Sequence, residues 1–213
     1  MRTGVVVGMA AENRIARRMG WPIAIGGGTA RGAAAAAREL VGQGCTSLIS
    51  FGLAGGLDPV LRSGALVVPT TVIAGDERYA TDTDLSRLLG GPTPHVTLGA
   101  DAIVASIADK LRLHEQTGAS AVDLESGAVA RVAAEYGIPF AVMRAICDPA
   151  GCALPSVTLA ALNARGGIAL WRVFAALAAQ PGQLPALLTL AADAARARRS
   201  LVARVKQIMP PPS

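Results

Sequence analysis

Lysine is scarce in this chain. Of its twenty basic residues only Lys110 and Lys206 are lysines, and the rest are arginines. Aromatic residues make up 3% of the 213 and histidine occurs twice, so a basic stripe interleaved with stacking aromatics cannot be assembled. Nucleic-acid grooves are built from such a stripe, and the net charge of +5 is therefore not read as a nucleic-acid signature. Only Arg196, Arg198, Arg199 and Arg204 gather, near the C-terminal end. Contact of that basic helix with an anionic membrane surface stays open. No apolar run reaches the roughly 18 residues that a membrane-spanning helix needs. The first apolar stretch, from Gly4, ends at Glu12-Asn13-Arg14 and does not fit a signal peptide. A soluble, cytoplasmic protein is expected, with peripheral contact to the inner membrane as the open alternative. The three cysteines, Cys45, Cys147 and Cys152, are an odd number without metal-ligand spacing. They read as reduced thiols, with no metal site. Cys147 as a nucleophile is disfavoured, because His95 and His114 stand in no recognisable motif. There is no GKS or GKT, and GLAGGLD is not GxGxxG, which excludes a Walker phosphate loop and the dinucleotide fingerprint.

Small aliphatic residues are plentiful. Hydrophobic residues make up 52% of the chain, so its core is built from Ala, Val, Leu and Ile. Thr3 to Val7 reads as a buried strand delivering Gly8, Met9 and Glu12 at its carboxyl end. Residues 22–25 form a second strand, followed by Gly26-Gly27-Gly28 and an alanine-rich helix over 30–41. A strand over 46–51 ends in the glycine-rich turn Gly52 to Gly56. Residues 66–73 read as a strand bent or bulged at Pro69, 75–94 as loop, and 102–113 as a helix. Two helices, over 156–179 and 185–208, close the chain. Strand and helix alternate as in a mixed sheet covered on both faces.

The stretch from Ala121 to Asp148 carries the chemistry. Residues 119–122 read as a strand, 124–136 as a helix with Val129, Val132 and Ala133 inward, and 140–146 as a buried strand. Glu125 and Asp148 stand at its two ends in otherwise apolar sequence. An unpaired buried carboxylate costs several kcal/mol, so a site that needs both is the better explanation. Asp148 follows the carboxyl end of a strand, where open α/β sheets bind ligands. The competing reading makes Asp148 a turn residue before Pro149 and Glu125 an exposed first-turn helix residue.

GMAAE, FGLAGG followed by GALVVP, AVDLES and PFAVMRAICD occur in this order. Together with the early glycine-rich turn they resemble the nucleoside phosphorylase superfamily, particularly the methylthioadenosine/S-adenosylhomocysteine nucleosidases. The resemblance runs from about Gly4 to Pro149. It implies a three-layer α/β/α sandwich with a central mixed sheet, a catalytic domain over 1–180 and a helical extension over 181–213 packed on it. It also implies a homodimer or higher homo-oligomer. Glu12 resembles the glutamate that activates the attacking water. Glu125 matches the one that grips the ribose hydroxyls, with Leu124 where the family has methionine. Asp148 matches the aspartate that helps protonate purine N7. Gly52, Ala54 and Gly55 fall in the segment lining the purine, and the DAIV segment puts Ile103 and Val104 against the base.

Two departures bear on the substrate. Ser50 stands where hexameric phosphorylases carry an arginine, which favours hydrolysis. Arg31, beside Gly28, offers a replacement cation, so inorganic phosphate as co-substrate stays open. No other cofactor is expected. Between Ile73 and Asp101 the chain is shorter than the nucleosidases, which opens the 5′ side of the pocket. DPAGCALP and the helices around QPGQLPALLTLAAD resemble the hopanoid-associated phosphorylases. That resemblance implies adenosylhopane, a purine nucleoside with a lipid-like 5′ group, as substrate. The alternative is an ordinary methylthioadenosine/S-adenosylhomocysteine nucleosidase.

Overall fold

The computed structural model describes residues 2–155 and 181–208. The helix expected over 156–179 lies outside the described residues. A nine-stranded mixed sheet runs through the molecule. Its strands are β1 (Thr3–Val7), β2 (Ile23–Ile25), β3 (Ser47–Gly56), β4 (Leu66–Val67), β5 (Thr71–Ala74), β6 (Glu77–Ala80), β7 (Val96–Gly99), β8 (Ala121–Asp123) and β9 (Phe140–Asp148). The order is β2-β1-β3-β8-β7-β5-β6, with β9 pairing β3 and β4. The helices are α1 (Ala10–Ala16), α2 (Ala30–Gly42), α3 (Thr83–Leu88), α4 (Ile107–Thr117), α5 (Ser126–Glu135) and α6 (Leu184–Ile208).

Alternation along the strands sorts the core into two layers. Val5, Val7, Phe51 and Met143 face Ile15 of α1, Leu85 of α3, and Ala197, Leu201 and Val205 of α6. Val6, Leu48 and Val142 face Ala33, Ala37 and Leu40 of α2 and Val129, Val132 and Ala133 of α5. Alanine suits α2 because its small side chain lets that helix lie close to both β1 and α5. The fold is thus the expected sandwich. α6 belongs to its core, since Ala197, Leu201 and Val205 are fully buried.

Several elements differ from the sequence reading. Gly52 to Gly56 is not a turn but the second half of β3, because its backbone pairs with β9 as far as Asp148 and with Val122 and Ala121 of β8. Pro69 divides the expected single strand into β4, antiparallel to β9, and β5, which joins β6 and β7. Residues 75–94 hold β6 and α3, the latter started by Asp82, whose Oδ1 accepts from Leu85 N at 2.8 Å. The helix expected over 102–113 begins later. Ser106 caps it, accepting from Asp109 N at 3.0 Å, and Gly118 ends it in the left-handed region at φ 71°.

Candidate active site

The carboxyl ends of β1, β3 and β8, with the middle of β9, bring three acids, Glu12, Asp123 and Glu125, and the guanidinium of Arg144 together beneath the surface. Glu12 follows β1 and reaches back from α1. Its Oε2 accepts from Gly8 N and Met9 N, both at 2.9 Å, and its Oε1 accepts from Leu53 N at 2.9 Å. Three backbone donors thus fix the carboxylate, and one of its four lone-pair positions is left over. Glu12 is buried, as are Glu125 and Asp148, so Glu125 is not the exposed first-turn residue of the competing reading. Asp148 is the last residue of β9 rather than a turn residue.

Arg144, on β9, is the cation at the centre, and the sequence reading passed over it. Its Nε donates to Asp123 Oδ2 at 3.0 Å and its Nη2 to Ser50 Oγ at 2.7 Å. Its Nη1 lies 3.3 Å from Glu125 Oε2, close enough for an ion pair. Asp123 also folds the turn into α5. Its Oδ1 accepts from Glu125 N and Ser126 N at 2.7 Å each, and its Oδ2 accepts from Ser126 Oγ. Two buried atoms of this cluster, Glu125 Oε1 and Arg144 Nη1, have no hydrogen-bond partner among the described residues. Such orphans are rare in protein interiors and ask for an explanation. Glycine keeps the space beside them open. A Cβ on Gly8 would collide with Glu125 Oε1, and one on Gly52 would sit 2.6 Å from Arg144 Nη1.

Electrostatics follow from this packing. Burial pushes the Glu125 carboxyl up to about 7, with Glu12 and Asp123 adding to the rise and Arg144 opposing it. Burial also works against the Arg144 charge, but Asp123, Glu125 and Glu12 more than offset it and move its pKa up. Cys147 is pushed up to about 12, chiefly by burial and then by Asp148, which leaves a neutral thiol unsuited to nucleophilic attack.

Asp148 stands apart, beside a cavity of about 230 Å³ walled by Cys152, Ala153 and the α6 residues Ala186, Thr189, Leu190 and Asp193. Lys110 of α4, fully buried, donates to Asp148 Oδ2 at 2.7 Å. Burial raises the Asp148 pKa, and Lys110 pulls against that rise. Ala54 and Gly55 pair with β9 at Ile146 and Asp148, which places them along the same strand ends.

The other expected site residues are placed as follows. Ser50 is fully buried, and its hydroxyl accepts from Arg144 Nη2 at 2.7 Å. Arg31 is exposed in the first turn of α2 and, among the described residues, has no polar contact with Glu12, Glu125 or Asp148. Gly28 belongs to the turn tied to β1 through Gly26 N and Val7 O at 2.8 Å. Ile103 is exposed, whereas Val104 packs against the core cluster that contains Leu57, Ile73 and Leu98 and is not among the residues walling the Asp148 cavity. Leu124 is half-buried between β8 and α5. No cluster of metal-binding side chains occurs among the described residues. No described helix is long and apolar enough to cross a membrane.

The family model of the phosphorylase superfamily matches residues 23–169, and the chain belongs to that superfamily. It is 28% identical to the 5′-methylthioadenosine/S-adenosylhomocysteine nucleosidase of Mycobacterium bovis over 51% of this chain. The match spans 61% of that relative's length. In fold the chain is similar to the nucleosidase of the same name from Helicobacter pylori, at a TM-score of 0.67 and 18% identity, over 97% of this chain and 98% of that one. It is also similar to the S-adenosylhomocysteine nucleosidase of Streptococcus pyogenes, at a TM-score of 0.64 and 18% identity, over 70% of this chain and 84% of that one.

Proposed function

We propose that this protein hydrolyses the N-glycosidic bond of a 5′-substituted adenosine, releasing adenine. The observation that carries this reading is the pair of unpartnered buried atoms, Glu125 Oε1 and Arg144 Nη1, in space kept clear by Gly8 and Gly52. An acceptor and a donor side by side suit a ribose hydroxyl and a water. As the C1′–N9 bond breaks, its electron pair moves into the purine and positive charge grows on the sugar. The Glu125 carboxylate accepts from the ribose hydroxyls and opposes that charge. Asp148 delivers a proton to N7, so the base leaves neutral. Water held by Arg144 Nη1 and by the free lone pair of Glu12 attacks C1′, and its proton passes to Glu12 and then to solvent. Water is favoured over phosphate because Glu12, Asp123 and Glu125 surround the single Arg144 charge. Adding a phosphate dianion there would deepen the negative excess.

The finer reading is a large apolar 5′ group, as in adenosylhopane. Its support is the short span between Ile73 and Asp101, the resemblance of the C-terminal segments, and the exposed Leu184 and Leu188 on the helix whose first turns wall the Asp148 cavity. The likeness to the mycobacterial nucleosidase favours the second reading, a methylthioadenosine/S-adenosylhomocysteine nucleosidase. Competition of adenosylhopane against methylthioadenosine, followed by adenine release, separates the two. A higher kcat/KM for adenosylhopane supports the first, and a tenfold preference for methylthioadenosine selects the second. Release of adenine from neither substrate, nor from S-adenosylhomocysteine, overturns the proposed activity.

A further inference from the structure

Lys110 is one of two lysines in the chain, and it is fully buried. Burial of an ammonium is costly unless every donor is used. Here all three are: Nζ donates to Asp148 Oδ2 at 2.7 Å, to Pro149 O at 3.1 Å and to Cys152 O at 2.7 Å. One side chain from α4 therefore ties down the carboxylate at the end of β9 and the backbone that follows it. Nothing in the water- and ribose-binding cluster uses this lysine.

We infer that Lys110 is a positioning residue for the leaving-group acid: it orients Asp148 toward the purine and stabilises the carboxylate that Asp148 becomes. The inference rests on the proposed role of Asp148 in N-glycosidic cleavage. In that step the Asp148 O–H bond breaks, the proton bonds to N7, and the C1′–N9 electron pair enters the purine. Negative charge left on Asp148 then faces the Lys110 ammonium at ion-pair distance. After the base departs, Asp148 regains a proton from solvent. Lys110 is thus neither donor nor nucleophile. It makes Asp148 a stronger acid in the dry end of the site.

The other charges around Asp148 do not duplicate this effect. Asp193 of α6 shares the cavity and pushes the Asp148 pKa upward. Its own charge is partly met by Arg196 at 2.8 Å. Cys147, on the same strand, stays neutral, and Arg144 is committed to Asp123, Ser50 and Glu125. Glu12 is felt at Cys147 and Arg144.

The test is the pH dependence of adenine release by the wild type, Lys110→Gln, Lys110→Met and Asp148→Asn. Gln keeps donors for the carbonyls of Pro149 and Cys152 while removing the charge, so it guards against loss of folding in the Met variant. Because Asp148 must be protonated to act, wild-type kcat/KM falls as pH rises through its pKa. Removing the cation that lowers this pKa moves the alkaline limb upward by about one unit or more. It also lowers the plateau kcat at least tenfold. Adding Lys110→Gln to Asp148→Asn costs little further, since Lys110 acts through Asp148. An alkaline limb that stays in place in an active, folded Lys110→Gln protein overturns the inference, as does full additivity in the double variant. Absence of adenine release by the wild type itself counts against the proposed function instead.

Discussion

Glu125 stands in an ion pair with Arg144 through one oxygen only: Oε2 lies 3.3 Å from Nη1, while Oε1 has no hydrogen-bond partner among the described residues. The carboxylate is thereby held by its charge partner and still free to accept from a ligand. The arrangement has a cost, because burial outweighs Arg144 and pushes the Glu125 carboxyl up to about 7. In the proposed mechanism the ionised form opposes the sugar's positive charge, so kcat/KM of the free enzyme is expected to rise with pH through about 7. In Glu125→Gln that acidic limb disappears along with most of the activity. An unchanged limb in the variant would assign it to another group.

The same carboxyl makes stability depend on pH. Its folded pKa is raised above its ordinary value of 4.5, so the protonated form is favoured by folding. Its contribution is fully present below about 4.5 and is lost as pH rises through about 7. A displacement of that size corresponds to about 3 kcal/mol. Melting of the ligand-free protein is expected at lower temperature at pH 8 than at pH 5. Glu125→Gln flattens most of this slope, and what remains follows Asp148, whose pKa is also raised by burial. A variant with the wild-type slope would contradict the assignment.

In the proposed mechanism Glu125 addresses the sugar, not the base. For the wild type, a 2′-deoxyadenosine substrate already lacks one partner of Oε1. Glu125→Ala is therefore expected to lose much less on the deoxy substrate than on the ribonucleoside. Equal losses on both would place the carboxylate elsewhere in the mechanism.

Gly52 tests the packing beneath the cluster. A methyl group there meets Glu12 Oε1 at 2.5 Å and Arg144 Nη1 at 2.6 Å. Neither side chain can swing away, because one is held by three backbone N–H groups and the other by Asp123 and Ser50. Gly52→Ala is expected to lose about 1–3 kcal/mol, the scale of overpacking. Displacing these two atoms, which hold the water in the proposed mechanism, is also expected to lower kcat/KM about a hundredfold. Thermal melting and kinetics of the purified variant read the two effects separately, and wild-type values in both would mean that the site relaxes freely.

Glu12, Glu125 and Asp148 were legible because they stand in short motifs near strand ends, where a charge in apolar sequence calls for a reason; Asp123, in the same AVDLES motif, was not singled out. Arg144 carries the same signal, a lone cation inside FAVMRAIC, but the resemblance assigns a role only to the aspartate that ends that motif. Lys110 carried less. On an amphipathic helix a lysine reads as solvated, and only the meeting of α4 with the end of β9, 38 residues away, buries it. The extension of β3 through its glycines was hidden for a related reason. Glycine-rich sequence reads as a turn, whereas long-range pairing with β9 keeps the backbone extended. The caps Ser106 and Asp82 were readable as local signals for α4 and α3, each followed within three residues by the N–H it satisfies.

The last expectation concerns the acceptor. The Ser50 hydroxyl is already engaged, accepting from Arg144 Nη2 at 2.7 Å. Arg144 itself is already matched by Asp123 and Glu125, with Glu12 close enough to raise its pKa further. A phosphate dianion would enter a region where carboxylates outnumber the cation, and its repulsion is poorly screened in a buried site. Adenine release is therefore expected at the same rate with and without inorganic phosphate, and the sugar product is the free hemiacetal. Phosphate-dependent release with a sugar 1-phosphate as product would reverse this conclusion. Arg31, exposed at the start of α2, is then the cation to examine, and Arg31→Ala would abolish the phosphate dependence.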